Sequence, residues 1–107
     1  MLNTDKIGSK IRDLRIQSGL PLRKLAALID LDQSTLSKIE RNVRYPNSHI
    51  IGKICSVFRE NKEELLIAYY SDIVCNEIQE AKGLHNEILK VSENKLKRFN
   101  STNKNEE

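Results

Sequence analysis

Apolar residues return every three or four positions along most of this chain, and only two prolines and four glycines among its 107 residues interrupt them. That rhythm is the period of one helix face, and the shortage of breakers lets helices run. The expected class is all-α. Three Tyr, two Phe and no Trp leave Leu and Ile to build the core, which suits a small helix bundle better than a β-sandwich.

The punctuation divides the chain into six helices. Ile7, Ile11 and Leu14 mark one face of the first, which Thr4 can cap and Ser18-Gly19-Leu20 ends, Gly19 accepting the left-handed conformation. Pro21 suits the opening of a second helix that reaches Ile29. Asp32 is placed to cap a third, Gln33 to Glu40, closed by Arg41-Asn42 because Asn tolerates a positive φ. Val43 to Pro46 reads as an extended connector, and Asn47 or Ser48 caps a fourth helix striped by Ile51, Ile54 and Phe58. Asn61 to Glu64 has the form of a capping box opening a fifth helix, from Lys62 to about Lys82, with Leu65, Leu66, Tyr69, Ile73 and Ile78 inward. Lys82-Gly83-Leu84 repeats the stop chemistry, a sixth helix runs from Asn86 to about Phe99, and the polar residues 100–107 are expected to be disordered.

Charge is unevenly divided. Residues 1–60 carry eleven Lys or Arg against six Asp or Glu, a balance of +5, whereas residues 61–107 carry seven against nine, a balance of −2. A basic front half is suited to a polyanion, and the rear half to something else. Cys55 and Cys75 lie in apolar stretches without a CxxC spacing, so both read as reduced core thiols rather than a disulfide or metal site. With no run of apolar residues long enough to span a membrane and no apolar secretion signal in Met1 to Lys10, the chain reads as cytoplasmic. His49 and His85 have no nucleophile or metal-spaced partner near them in sequence, and no glycine-rich loop is present to cradle a nucleotide. The reading is therefore of a chain that is not an enzyme and takes no cofactor or metal.

The informative stretch is Leu22 to Glu40. Apolar anchors fall at Leu25, Ile29, Leu31, Leu36 and Ile39, with the small Ala26 between them. Two short helices crossing at about 90 to 120° need a small side chain at the close approach, a residue that tolerates a left-handed turn, and apolar anchors on both sides. Ala26 and Asp30 meet the first two needs. With Ile7-Gly8-Ser9-Lys10-Ile11-Arg12-Asp13-Leu14-Arg15 before it, then Gly19-Leu20, Ser34 to Arg41, and Tyr45-Pro46 to Leu65-Leu66, the chain resembles the Xre/Cro, lambda-repressor-like helix-turn-helix family over roughly residues 5–68.

That resemblance implies a five-helix DNA-binding domain over residues 1–68, whose third helix enters the major groove. Gln33, Ser34, Ser37 and Lys38 fall on its base-reading edge, and Gln and Lys match adenine N6/N7 and guanine O6/N7. Phosphate contacts are expected from Arg23, Thr35, Arg41, Asn42, Arg44 and Tyr45. Family likeness further implies that Arg15 pairs with Glu40 and also reaches a phosphate. Three departures stand out: Leu22 where Gln is frequent, Pro21 in place of a Ser or Thr cap, and Asp30 where Gly is commonest. Asp32 also puts a carboxylate near the DNA backbone, offset by its capping bond.

Residues 69–99 carry more apolar positions than a 60-residue bundle needs for closure. They read as a helical dimerisation extension built on Tyr69, Ile73, Ile78, Leu84, Ile88, Leu89 and Leu96. If Gly83 breaks the helix the extension is a hairpin, and otherwise a long coiled-coil-like arm. The whole points to a sequence-specific regulator of double-stranded DNA, a repressor acting as a homodimer on a palindromic operator. The alternative is a controller or antitoxin-like autoregulator whose C-terminal helices hold a partner protein.

Overall fold

The computed structural model describes residues 4–106, with side chains from Thr4 to Ser101. Six α-helices follow one another: α1 (Ile7–Gln17), α2 (Leu22–Leu28), α3 (Gln33–Glu40), α4 (Ser48–Val57), α5 (Lys62–Ile78) and α6 (His85–Glu106), with a 3-10 turn at Arg59–Asn61 leading into α5. No strand occurs among the described residues.

Three helices end in the same way. Past α1, Leu20 N–H bonds the Arg15 carbonyl and Gly19 N–H that of Ile16; past α2, Leu31 pairs with Ala26 and Asp30 with Ala27; past α3, Val43 pairs with Lys38 and Asn42 with Ile39. Each is a Schellman closure, and the residue at its centre has a positive φ: 72° at Gly19, 52° at Asp30 and 60° at Asn42. Asp30 and Asn42 accept the left-handed region because their short polar side chains tolerate it. Helix starts are also local chemistry in α3 and α4, where the Asp32 and Asn47 side chains accept from the Thr35 and Ile50 amides.

The start of α1 is different. Thr4 does not cap it; the helix begins after Lys6 without a side-chain cap of its own, and Ile7 N–H donates to Asp72 Oδ2 on α5 at 2.9 Å. At α5 the capping box gives way to the 3-10 turn, and the Glu64 carboxylate meets Lys10 Nζ at 2.7 Å. The pair holds that carboxyl below its usual range.

Residues up to Ile73 form one compact unit and those from Val74 a second. The core of the first is Ile7, Ile11, Leu14, Leu25, Ala26, Ile29, Leu36, Ile39, Ile51, Ile54, Cys55, Phe58, Leu65 and Tyr69. Gly8 lets α1 and α3 touch: a Cβ there would lie 2.0 Å from the Ile39 carbonyl oxygen and 2.4 Å from Asn42 Oδ1. Lys53 Nζ donates to the Ile29 carbonyl at 3.2 Å, tying α4 to the end of α2.

In the second unit α5 ends at Ile78, Gly83 takes a φ of 84°, and α6 starts at His85, so the helix is broken. α6 extends beyond Phe99 to Glu106, over residues whose polarity points to disorder; no Gly or Pro stands there to stop it. Cys75 is a correction to the expectation of two core thiols. It is exposed while Cys55 is buried, because it lies on the far side of α5 from Tyr69 and Ile73.

Candidate nucleic-acid interface

α3 is amphipathic in the manner a groove-binding helix requires. Leu36 and Ile39 are fully buried, whereas Gln33, Ser34 and Lys38 are exposed and Ser37 is half-exposed. Its first turn is stiffened by Asp32: Ser34 Oγ donates to Oδ2 at 2.7 Å, Thr35 N–H to Oδ2 at 3.0 Å, and Thr35 Oγ1 to Oδ1 at 2.8 Å. Those bonds, from Ser34 first and then Thr35, pull the Asp32 pKa down to about 2. Thr35, expected at a phosphate, is buried with its hydroxyl and amide both committed to Asp32.

The other end of α3 is held by charge. Arg15 Nε and Nη2 donate to the two Glu40 carboxylate oxygens at 2.7 and 2.9 Å, and Nη1 to the Leu20 carbonyl at 3.0 Å. The bond to Glu40 raises the Arg15 pKa against the opposing effect of burial. Two of the five guanidinium N–H donors are left over. Beside them lies an open cleft of about 430 Å³ lined by Arg12, Arg15, Leu22, Ser37, Glu40 and Arg41. Three cations face one carboxylate there, a net positive recess with fork-shaped donors suited to a phosphate. Leu22, where the family often has Gln, gives this recess an apolar wall. Arg12 carries no contact in the sequence reading; its place three residues before Arg15 on one helix face is the signal that identifies it.

The loop after α3 exposes Arg41, Asn42 and Arg44, and Arg23 is exposed at the start of α2. Asn42 has a structural bond, Nδ2 donating to Ser9 Oγ at 3.0 Å, and Arg41 Nε donates to Ser37 Oγ at 3.3 Å. Tyr45 is turned inward at its tip. Its hydroxyl donates to the Tyr69 carbonyl at 2.8 Å, its ring stacks on Tyr69 with centroids 5.8 Å apart, and burial, then the Asp72 charge, push its pKa up to about 12. Tyr69 therefore belongs to the core at 6% exposure rather than to a surface offered to a second chain, and Ile73 packs partly against that core.

Against this geometry, the family model described as helix-turn-helix, of the Xre and lambda-repressor type, matches residues 11–65, just over half of the chain. The chain belongs to the Xre-type helix-turn-helix family. As a helix-turn-helix protein of this kind it is a DNA-binding transcriptional regulator. No curated protein and no solved structure matches it significantly. The helix-turn-helix of this family member is α2, the Asp30 turn and α3. Among the described residues, no helix is long and apolar enough to cross a membrane, and no group of three or more His, Cys, Asp or Glu could hold a metal ion.

Proposed function

We propose that this regulator is a repressor that binds a palindromic operator as a homodimer, α3 lying in the major groove and the protein excluding polymerase by occupancy. The observation that carries the reading is the polar edge of α3, bare at Gln33, Ser34 and Lys38 and bordered by the cationic recess of Arg12, Arg15 and Arg41. Gln33 and Lys38 supply base-edge hydrogen bonds, and Arg15, Arg23, Arg41 and Arg44 hold phosphates. One half-site read by so short a helix binds weakly, and a two-fold pair doubles the contacts. α6 offers the means, with Leu89, Val91, Leu96 and Phe99 exposed on it, Leu84 exposed just before it, and Ile78 and Ile88 half-buried in the same unit.

The test is binding to a selected site and to random duplex across salt. Gln33→Ala is expected to lose about 1 to 3 kcal/mol on the selected site and little on random DNA, while Arg44→Ala weakens both alike. Equal losses for both variants on both DNAs, or an affinity indifferent to salt, overturn the assignment. The same exposed α6 face also fits the second reading, a controller or antitoxin-like autoregulator. A chain that stays monomeric alone and co-purifies in a fixed ratio with a different polypeptide bound to α6 favours that reading.

A further inference from the structure

Of the groups on the α3 edge, Ser34 is the one whose hydrogen-bonding sense is set in advance. Its Oγ lies 2.7 Å from Asp32 Oδ2. An ionised carboxylate only accepts, so the hydroxyl hydrogen occupies that bond and the two lone pairs of Oγ remain for anything outside. Ser34 is exposed, so those lone pairs face solvent. The carboxylate stays ionised throughout the neutral range, because its pKa of about 2 is set by the same bonds. A serine hydroxyl ordinarily serves either sense by rotating; this one cannot donate outward without giving up its bond to Asp32.

We propose that Ser34 is a one-way reader: it accepts from an exocyclic amine in the major groove, adenine N6 or cytosine N4, and discriminates against a guanine O6, a purine N7 or a thymine O4 placed opposite it. The Asp32 charge, adjacent to the same spot, repels those acceptors and adds to the discrimination. Ser37, one turn on, is the internal contrast. Its Oγ accepts from Arg41 Nε at 3.3 Å, which leaves its own hydrogen and a second lone pair, so Ser37 serves either sense. The edge thus carries a fixed acceptor at Ser34 and a two-way hydroxyl at Ser37. This inference deepens the sequence-specific reading and rests on it.

The experiment begins by selecting bound duplexes from a random pool with the full chain and with Ser34→Ala, both checked for unchanged helix content and thermal unfolding. Single adenines and cytosines of the selected site are then replaced by purine and by 2-pyrimidinone, which lack the amine, and single purines by their 7-deaza forms, which lack N7. At one position, amine removal is expected to weaken the wild-type chain about five- to tenfold and to leave Ser34→Ala no weaker than it already is. Three results overturn the inference while leaving sequence-specific binding in place. Ser34→Ala selects the same site with the same affinity; or its loss couples to N7 rather than to an amine; or the amine sensitivity survives in Ser34→Ala, which makes Asp32 the reader. A pool from which the wild-type chain enriches no sequence ends both readings.

Discussion

Arg15 on α1 and Glu40 at the end of α3 are joined by two parallel N–H to oxygen bonds, with the Glu40 side chain only 4% exposed. The pair fixes α3 to the rest of its bundle and, through the same guanidinium, lines the cationic recess it shares with Arg12 and Arg41. Glu40→Ala leaves a largely buried guanidinium without its counter-charge, so urea unfolding is expected to show a loss of about 3 kcal/mol. Arg15→Lys does not substitute, because an ammonium cannot span both oxygens and the Leu20 carbonyl at once.

Two glycines in helices give opposite outcomes. Gly8→Ala drives a methyl into the Ile39 carbonyl and Asn42, so α1 and α3 must separate, at a cost of about 1 to 3 kcal/mol in urea unfolding. Gly52→Ala in α4 meets nothing within 4 Å and is expected to stabilise by about 0.5 to 1 kcal/mol. A neutral Gly8→Ala would show that the two helices are not in contact there.

The carboxyl signal of Asp32 is expected to titrate at about 2 in the folded chain, well below the ordinary 3.8. Its folded pKa is the lower one, so its contribution to stability is complete above the unfolded value and vanishes as pH falls from about 4 through 2. Ser34→Ala removes the largest cause and moves the midpoint upward toward 3.8. An unmoved midpoint in that variant, followed by NMR, contradicts the assignment of the shift to Ser34.

Leu96 lies 60% exposed on α6. If α6 pairs with a second copy, Leu96→Glu places a charge in that interface and weakens self-association by about tenfold or more in sedimentation experiments. The core of residues 4–73 does not use Leu96, so its thermal unfolding is expected to be unchanged. Unaltered dimerisation in this variant removes α6 from the interface.

Local chemistry was legible without coordinates. The left-handed residues Gly19, Asp30 and Asn42, the Asp32 cap and the bounds Gln33 to Glu40 are decided within four or five neighbours along the chain, and the structure has each of them. The Leu25 to Ile39 anchors were equally plain, because two short helices crossing at a tight turn need apolar residues on both sides of it, and all of these anchors but Leu31 are fully buried.

Tertiary packing decided the rest. Asp72 rather than Thr4 receives the first amide of α1, from 65 residues away. Tyr69 turns into the core beneath Tyr45, Cys75 turns out, and Arg12 joins Arg15 and Arg41 around one recess. Periodicity states which residues share a face; it does not state which face another helix covers, since that depends on contacts between segments remote in the chain. The amino-acid order of this protein thus determined its all-helical class, the turns that close α1, α2 and α3 and the polar edge of α3, while the folded chain alone decided which polar groups meet, because hydrogen bonds and ion pairs act over a few ångströms of space and not along the sequence.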